Sequence, residues 1–262
     1  MNKMASQIKQ RLKSVVGAQT DQREPIHFLH IGKCAGTQIK NAAEIINAQS
    51  ADLRIIKHGH DTYLDDIPTD ERYFFAIRDP ISRFRSGFYS RLRRGQPLHD
   101  YAWSSGEAAA FARFEHANAL AEALFADGET GRHAFMAMKS IRHAAQNQVD
   151  WFARFGDIFV SRPPIWVLRQ EHFSDDLAVL SARIGVDLRQ VVEERGRDSS
   201  ARHANDYAGV PAFSPEAKAN LARWYAQDIA FYGLCEWWIG DQLAGTALDD
   251  RTGTGPRGHA TT

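Results

Sequence analysis

The chain predicts an α/β fold: a single P-loop-like domain with a mostly parallel sheet flanked by helices. Three observations carry this expectation. Short apolar stretches rich in β-branched and aromatic residues alternate with helical stretches, as strands do when crossover helices join them. The first strand runs straight into a glycine-containing loop that opens a helix, "HFLHIGKCAGTQIK" at residues 27–40. A later strand ends in an arginine and hands over to a helix, "FFAIRDPISRFRSGFYSRLRR" at residues 74–94. Ligands on such sheets lie beyond the carboxyl ends of the strands, which is where both segments leave theirs.

The elements follow in order. Residues 1–24 form a basic amphipathic extension: Lys3, Lys9, Arg11 and Lys13 stand among Met4, Ile8, Leu12, Val15 and Val16 at helical spacing. This stretch lacks the apolar core and cleavage site of a signal peptide, and its character fits a surface helix or weak peripheral docking on anionic lipid. Pro25 precedes the first strand, 26–31; the loop 32–36 and a helix over 37–48 come next. Strands follow at 53–58 and 73–77, and Pro80 occupies a first-turn position for a helix over 81–94. The alanine-rich middle, 106–154, is helical in period, and "IWVLRQE" at 165–171 is a further strand leading into a helix near Ser174. In "SPEAKANLARWYAQDIAFYG" a serine N-cap, a proline and a glutamate start a helix expected to close at Gly233. The domain spans 25–239, and the polar, unperiodic stretch 240–262 is expected to be disordered and functionally silent.

Composition bounds the function. Lys plus Arg and Asp plus Glu both total 32 of 262 residues, so no global charge favours nucleic acid, and none is expected as a partner. Locally the balance differs: Arg78, Arg83, Arg85, Arg91, Arg93 and Arg94 face the single acid Asp79, a cluster suited to a small polyanion. Cys34 and Cys235 stand too far apart in sequence for a disulfide framework and fit a reducing, cytoplasmic compartment. No apolar run approaches the ~18 residues of a membrane span.

The loop "GKCAGTQ" brings backbone amides and a helix dipole to an anion. It departs from a Walker loop, which requires Lys-Ser/Thr after the second glycine, whereas Lys33 here precedes Gly36. A P-loop kinase or nucleotide hydrolase is therefore the rival enzyme, and a turn with an incidental lysine the structural alternative. Arg78 offers a planar fork to phosphate, and Ser86 adds a hydroxyl from a nearby turn. Arg83 and Arg85 are weaker candidates, equally readable as solvated charges. His58 and His60, two apart at a strand end, suit a general base near neutral pH. A metal pair is the alternative, but no third ligand stands at a telling spacing, and no metal is expected.

These motifs resemble a known family. "HIGKCAGTQIK" is similar to the "HIPKTGGTS" loop of sulfotransferases that use 3′-phosphoadenosine 5′-phosphosulfate (PAPS), and "RDPISRFRSGFY" resembles their arginine-x-proline segment. "KHGHDTYLDDI" resembles "HGHVSYLDF" of the heparan sulfate 2-O-sulfotransferase-like branch, and "ANLARWYAQDIAFYG" the family's final helix. Gly32 stands where the family has proline, Cys34 for threonine, Ala35 for glycine and Gln38 for serine. Gly32 is expected to loosen the loop and Ala35 to tighten it, while Thr37 keeps one hydroxyl. The resemblance implies PAPS as sulfuryl donor, held by Gly32, Lys33, Cys34, Ala35, Gly36, Thr37, Gln38, Arg78 and Ser86, with Arg202 and Asn205 in a covering loop. It implies Lys33 as the cation on the leaving group and a base within the His-Gly-His stretch, His60 first and His58 as partner or base. His143 and Gln148 become contacts for a carbohydrate or glycolipid-like hydroxyl acceptor on a substrate-side helix. A catalytically silent nucleotide- or glycan-binding protein of the same fold is the remaining alternative.

Overall fold

The computed structural model describes residues 21–97, 99–152, 157–187, 207 and 209–252. Nearly all of the N-terminal extension, and the loop carrying Arg202 and Asn205, lie outside the described residues. Four parallel strands form one sheet in the order β2-β1-β3-β4: β1 is Glu24–Leu29, β2 Leu53–Lys57, β3 Arg72–Ile77 and β4 Val167–Arg169. The α/β expectation holds. In β3, "RYFFAI", every residue after the first is buried, because a parallel strand covered on both faces reads as an apolar run rather than an alternation.

Helix α1 (Gly36–Gln49) returns from β1 to β2, and α2 (Pro80–Leu92) leaves β3. The start of α2 is doubly specified: Pro80 fits the first turn, and Asp79 Oδ1 accepts the Ser82 amide at 2.7 Å. The middle of the chain is more broken than its alanine content implies. It holds α3 (Ser105–Arg113), α4 (Ala117–Glu122) and α5 (Gly128–Ser140), followed by turns and a short 3-10 helix at Gln148–Phe152. The segment around His143, expected to be helical, is therefore irregular; His143 itself has φ 72°. After α6 (Ile158–Ser161), β4 is cut short at Arg169 by a 3-10 turn at Gln170–His172 that leads into α7 (Phe173–Ile184).

The C-terminal helical region also differs from expectation. α8 (Pro215–Trp224) breaks at Tyr225, and α9 runs from Ala226 to Thr252, through Gly233 and into the stretch expected to be disordered. Phe231, Cys235, Trp238 and Ile239 are buried at helical spacing on both sides of Gly233, so packing holds the helix past a residue that would otherwise end it. These side chains join the sheet core with Trp151, Phe152 and Trp166. A second core gathers Phe84 and Phe88 of α2 with Phe111, Leu120, Met138, Leu221 and Tyr225. Arg91 is committed to this layer: it is buried and paired bidentately with buried Glu107, at 2.6 and 2.7 Å. Among the described residues, no helix is long and apolar enough to cross a membrane.

Candidate active site

The loop between β1 and α1 rises from the carboxyl end of the central strand. Lys33 (φ 71°) and Ala35 (φ 55°) are left-handed, whereas Cys34 between them is not. Alternation of this kind turns successive amides toward one concavity. Among the described residues, no amide from Lys33 to Thr37 donates to a loop carbonyl or side chain. Ala35 is the N-cap of α1 without a capping side chain, so the helix N-terminus is left to an anion.

Two glycines explain how the loop packs. A Cβ on Gly32 would lie 2.7 Å from His143 Nδ1 and 3.6 Å from His60 Cε1. Gly32 admits the His143 imidazole against its backbone, where a side chain would collide, with His60 at ordinary contact distance beside it. A Cβ on Gly36 would overlap the His30 ring at 1.7 Å. His30 in turn lies 4.0 Å, centroid to centroid, from His60, and His143 meets the His60 ring edge-on at 5.4 Å. Three imidazoles, of His30, His60 and His143, thus surround the loop; the sequence singled out His60 and His143 but not His30.

Their protonation follows from their partners. His60 Nδ1 lies 3.1 Å from the His30 carbonyl oxygen. A carbonyl only accepts, so Nδ1 carries the proton and Nε2 keeps a lone pair. Burial pushes the proton affinity of His60 down, and pushes His30 and His143 down to about 2, so those two rings stay neutral. His58 is held elsewhere: its Nε2 sits 2.7 Å from His27 Nδ1, and His27 Nε2 contacts Glu71. Because β2 ends at Lys57, the two-residue spacing does not place His58 and His60 on one side.

The cationic side of the site is denser than the loop alone. Burial lowers Lys33 to about 8, helped by Arg93, Arg78 and Arg83. Arg78, at the carboxyl end of β3, donates from Nε to Ser82 Oγ at 2.9 Å. Ser86 is buried one turn beyond Ser82 on the same face of α2, so Ser82 joins the predicted pair. Arg83 is not a solvated charge. It is 1% exposed, with Nε on the Gly32 carbonyl at 2.9 Å and Nη1 on the Gln146 carbonyl at 2.8 Å. Arg85 stacks 4.0 Å over the Tyr207 ring.

Gln148 requires a correction. It is wholly buried and makes no face for an acceptor. Its Oε1 accepts the Arg78 amide at 2.9 Å and the Cys34 thiol at 3.3 Å, while Nε2 donates to the Arg78 carbonyl at 2.8 Å. Buried Asp228, in the first turn of α9, accepts the Gln148 and Val149 amides at 2.6 and 3.2 Å. Gln148 therefore joins the loop, the end of β3 and α9. Cys34 serves this contact as a protonated thiol, burial pushing it up to about 12. Thr37 is exposed and Gln38 half-buried at the mouth of α1.

The model of the sulfotransferase family matches residues 17–234, a span that includes the loop, the Arg78 segment and Asp228. The chain belongs to the sulfotransferase family. No curated protein matches it. Family membership makes the chain a transferase and sulfuryl transfer its reaction class, and such enzymes generally use PAPS as donor. In this sulfotransferase the loop with Lys33 and the end of β3 with Arg78 and the Ser82–Ser86 face lie at the same edge of the sheet.

Proposed function

We propose that the protein transfers a sulfuryl group from PAPS to a hydroxyl of a carbohydrate-like acceptor, with His60 as general base. The observation that carries this reading is the His60 Nδ1–His30 carbonyl bond, which leaves a basic Nε2 on a ring lodged against Gly32. When bound, PAPS supplies an activated sulfuryl group whose departure leaves charge on a phosphate. Lys33 and the loop amides are held where such charge is stabilised before it forms, so little reorganisation is needed. Arg78, with Ser82 and Ser86, holds a terminal phosphate. His60 takes the acceptor's hydroxyl proton at Nε2 while His30 fixes the ring. His143, packed on Gly32, excludes water from that side. The resemblance of "KHGHDTYLDDI" to the heparan sulfate 2-O-sulfotransferase-like branch supports the carbohydrate class.

An acceptor screen with radiolabelled PAPS tests this reading. Glycan, lipid and small-alcohol pools are offered separately, and label is expected in the glycan pool. Label confined to small alcohols or lipids would reject the acceptor class, and no transfer from PAPS to any pool would reject the donor.

A further inference from the structure

The Glu71–His27–His58 contacts lie outside the loop cluster and have no part in the mechanism above. His27 is 4% exposed on the central strand, between the other two. The two rings are 5.0 Å apart between centroids, with planes 9° apart, and their closest nitrogens are 2.7 Å apart. An imidazole centroid lies little more than an ångström behind its nitrogens. The rings must therefore meet edge to edge in nearly one plane, which is hydrogen-bond geometry and not face stacking.

The direction of each bond follows. An ionised Glu71 only accepts, so His27 Nε2 carries a proton. With His27 neutral, its Nδ1 is a lone pair and takes the His58 Nε2 proton, leaving His58 Nδ1 as the second lone pair. The two histidines beside the glycine are thus opposite tautomers: His60 protonated at Nδ1 and His58 at Nε2.

We propose that Glu71, His27 and His58 form a proton relay that receives a proton at His58 and holds the positive charge on His27 against Glu71. As a proton binds His58 Nδ1, the N–H bond at His58 Nε2 breaks and one forms at His27 Nδ1. His27 becomes an imidazolium between a lone pair and a carboxylate, and no electrons change hands. The charged groups facing the relay are Glu71, beside His27, with Lys40 of α1 and Asp66 of the 3-10 turn at Leu64–Asp66, both beside His58. Burial, and then repulsion from His27, lowers the proton affinity of His58. Ring nitrogens 2.7 Å apart leave room for one proton between them, so the pair holds a single charge. The relay's place in catalysis, as the group that positions His58 and accepts charge near the acceptor, rests on the proposed function. The tautomers do not.

Imidazole nitrogen NMR across a pH titration tests the relay in the full-length wild-type protein and in Glu71→Gln, a change at a partly exposed side chain. In the wild type, His58 is expected as the Nε2–H tautomer at high pH, with His27 and His58 taking up one proton together. Glu71→Gln should lower that joint proton affinity about tenfold, the effect of losing an adjacent opposite charge, while His60 is unmoved. An Nδ1–H tautomer at His58, independent titration of the two rings, or an unchanged titration in Glu71→Gln would each overturn the relay. Absence of all sulfuryl transfer would contradict the functional reading and leave the NMR result standing.

Discussion

The charge of Lys33 responds to pH within a mildly alkaline range. Its folded value of about 8 lies below the ordinary lysine value of 10.5, so burial disfavours its charged form. A bound phosphate favours that form, so binding takes up protons as the pH approaches and passes 8. Affinity for adenosine 3′,5′-bisphosphate should therefore be greatest below about pH 8 and fall as the pH rises through it. Calorimetry in buffers of different ionisation enthalpy checks both the fall and the proton uptake. Ala35 gives a second prediction at this scale. A left-handed alanine is strained, and Ala35→Gly should raise stability by about 0.5–1 kcal/mol in urea melts, net of the freedom that glycine adds to the unfolded chain. The loop, Arg78 and His60 were legible in the sequence because each belongs to a short motif whose chemistry is local. Arg83 was not, because it is held by the carbonyls of Gly32 and Gln146 and by buried Asp228, all far from it in the sequence. The same holds for Gly32, whose reason is the His143 ring on the other side of the site.

Among the elements, the 3-10 helix that begins at Gln148 ties the most of the site together. It joins residues 70 and 80 positions away, Arg78 and Asp228, to the phosphate loop. Sequence reasoning placed Gln148 on a substrate-facing helix because the alanine-rich context is helical in period. The chain instead turns at His143, and the side chain points into the core. Gln148→Ala leaves the Arg78 amide and carbonyl without their partners, at roughly 2–4 kcal/mol of stability. Bisphosphate affinity should fall with it, because Cys34 and Arg78 lose a common anchor. Full stability and affinity in this variant, by denaturant melt and calorimetry, would show that the contact does not organise the site. The strands, α1 and α2 were readable from apolar runs, Gly36 and Pro80. The break at Tyr225 and the length of α9 were not, since buried Phe231, Cys235 and Trp238 override Gly233 only through tertiary packing.

Across the whole molecule, four parallel strands bring the loop, the His58–His60 segment and Arg78 to one rim, and this convergence followed from element order alone. Two sets of groups meet there, cations and an imidazole, to which the proposed function gives the donor and the acceptor respectively. Adenosine 3′,5′-bisphosphate should therefore raise the melting temperature well above the shift given by AMP, because only the bisphosphate engages both the loop and Arg78. Binding to the native state alone contributes about 2.7 kcal/mol at a hundredfold excess over Kd. Equal shifts with the two nucleotides would remove the second phosphate site. The central claim, that His60 is the base of sulfuryl transfer beside this loop, is tested most directly by single-turnover transfer from radiolabelled PAPS with wild type and His60→Ala. The account predicts a loss of about 100- to 10,000-fold in the transfer rate with bisphosphate affinity nearly unchanged. A variant that transfers at the wild-type rate would contradict it.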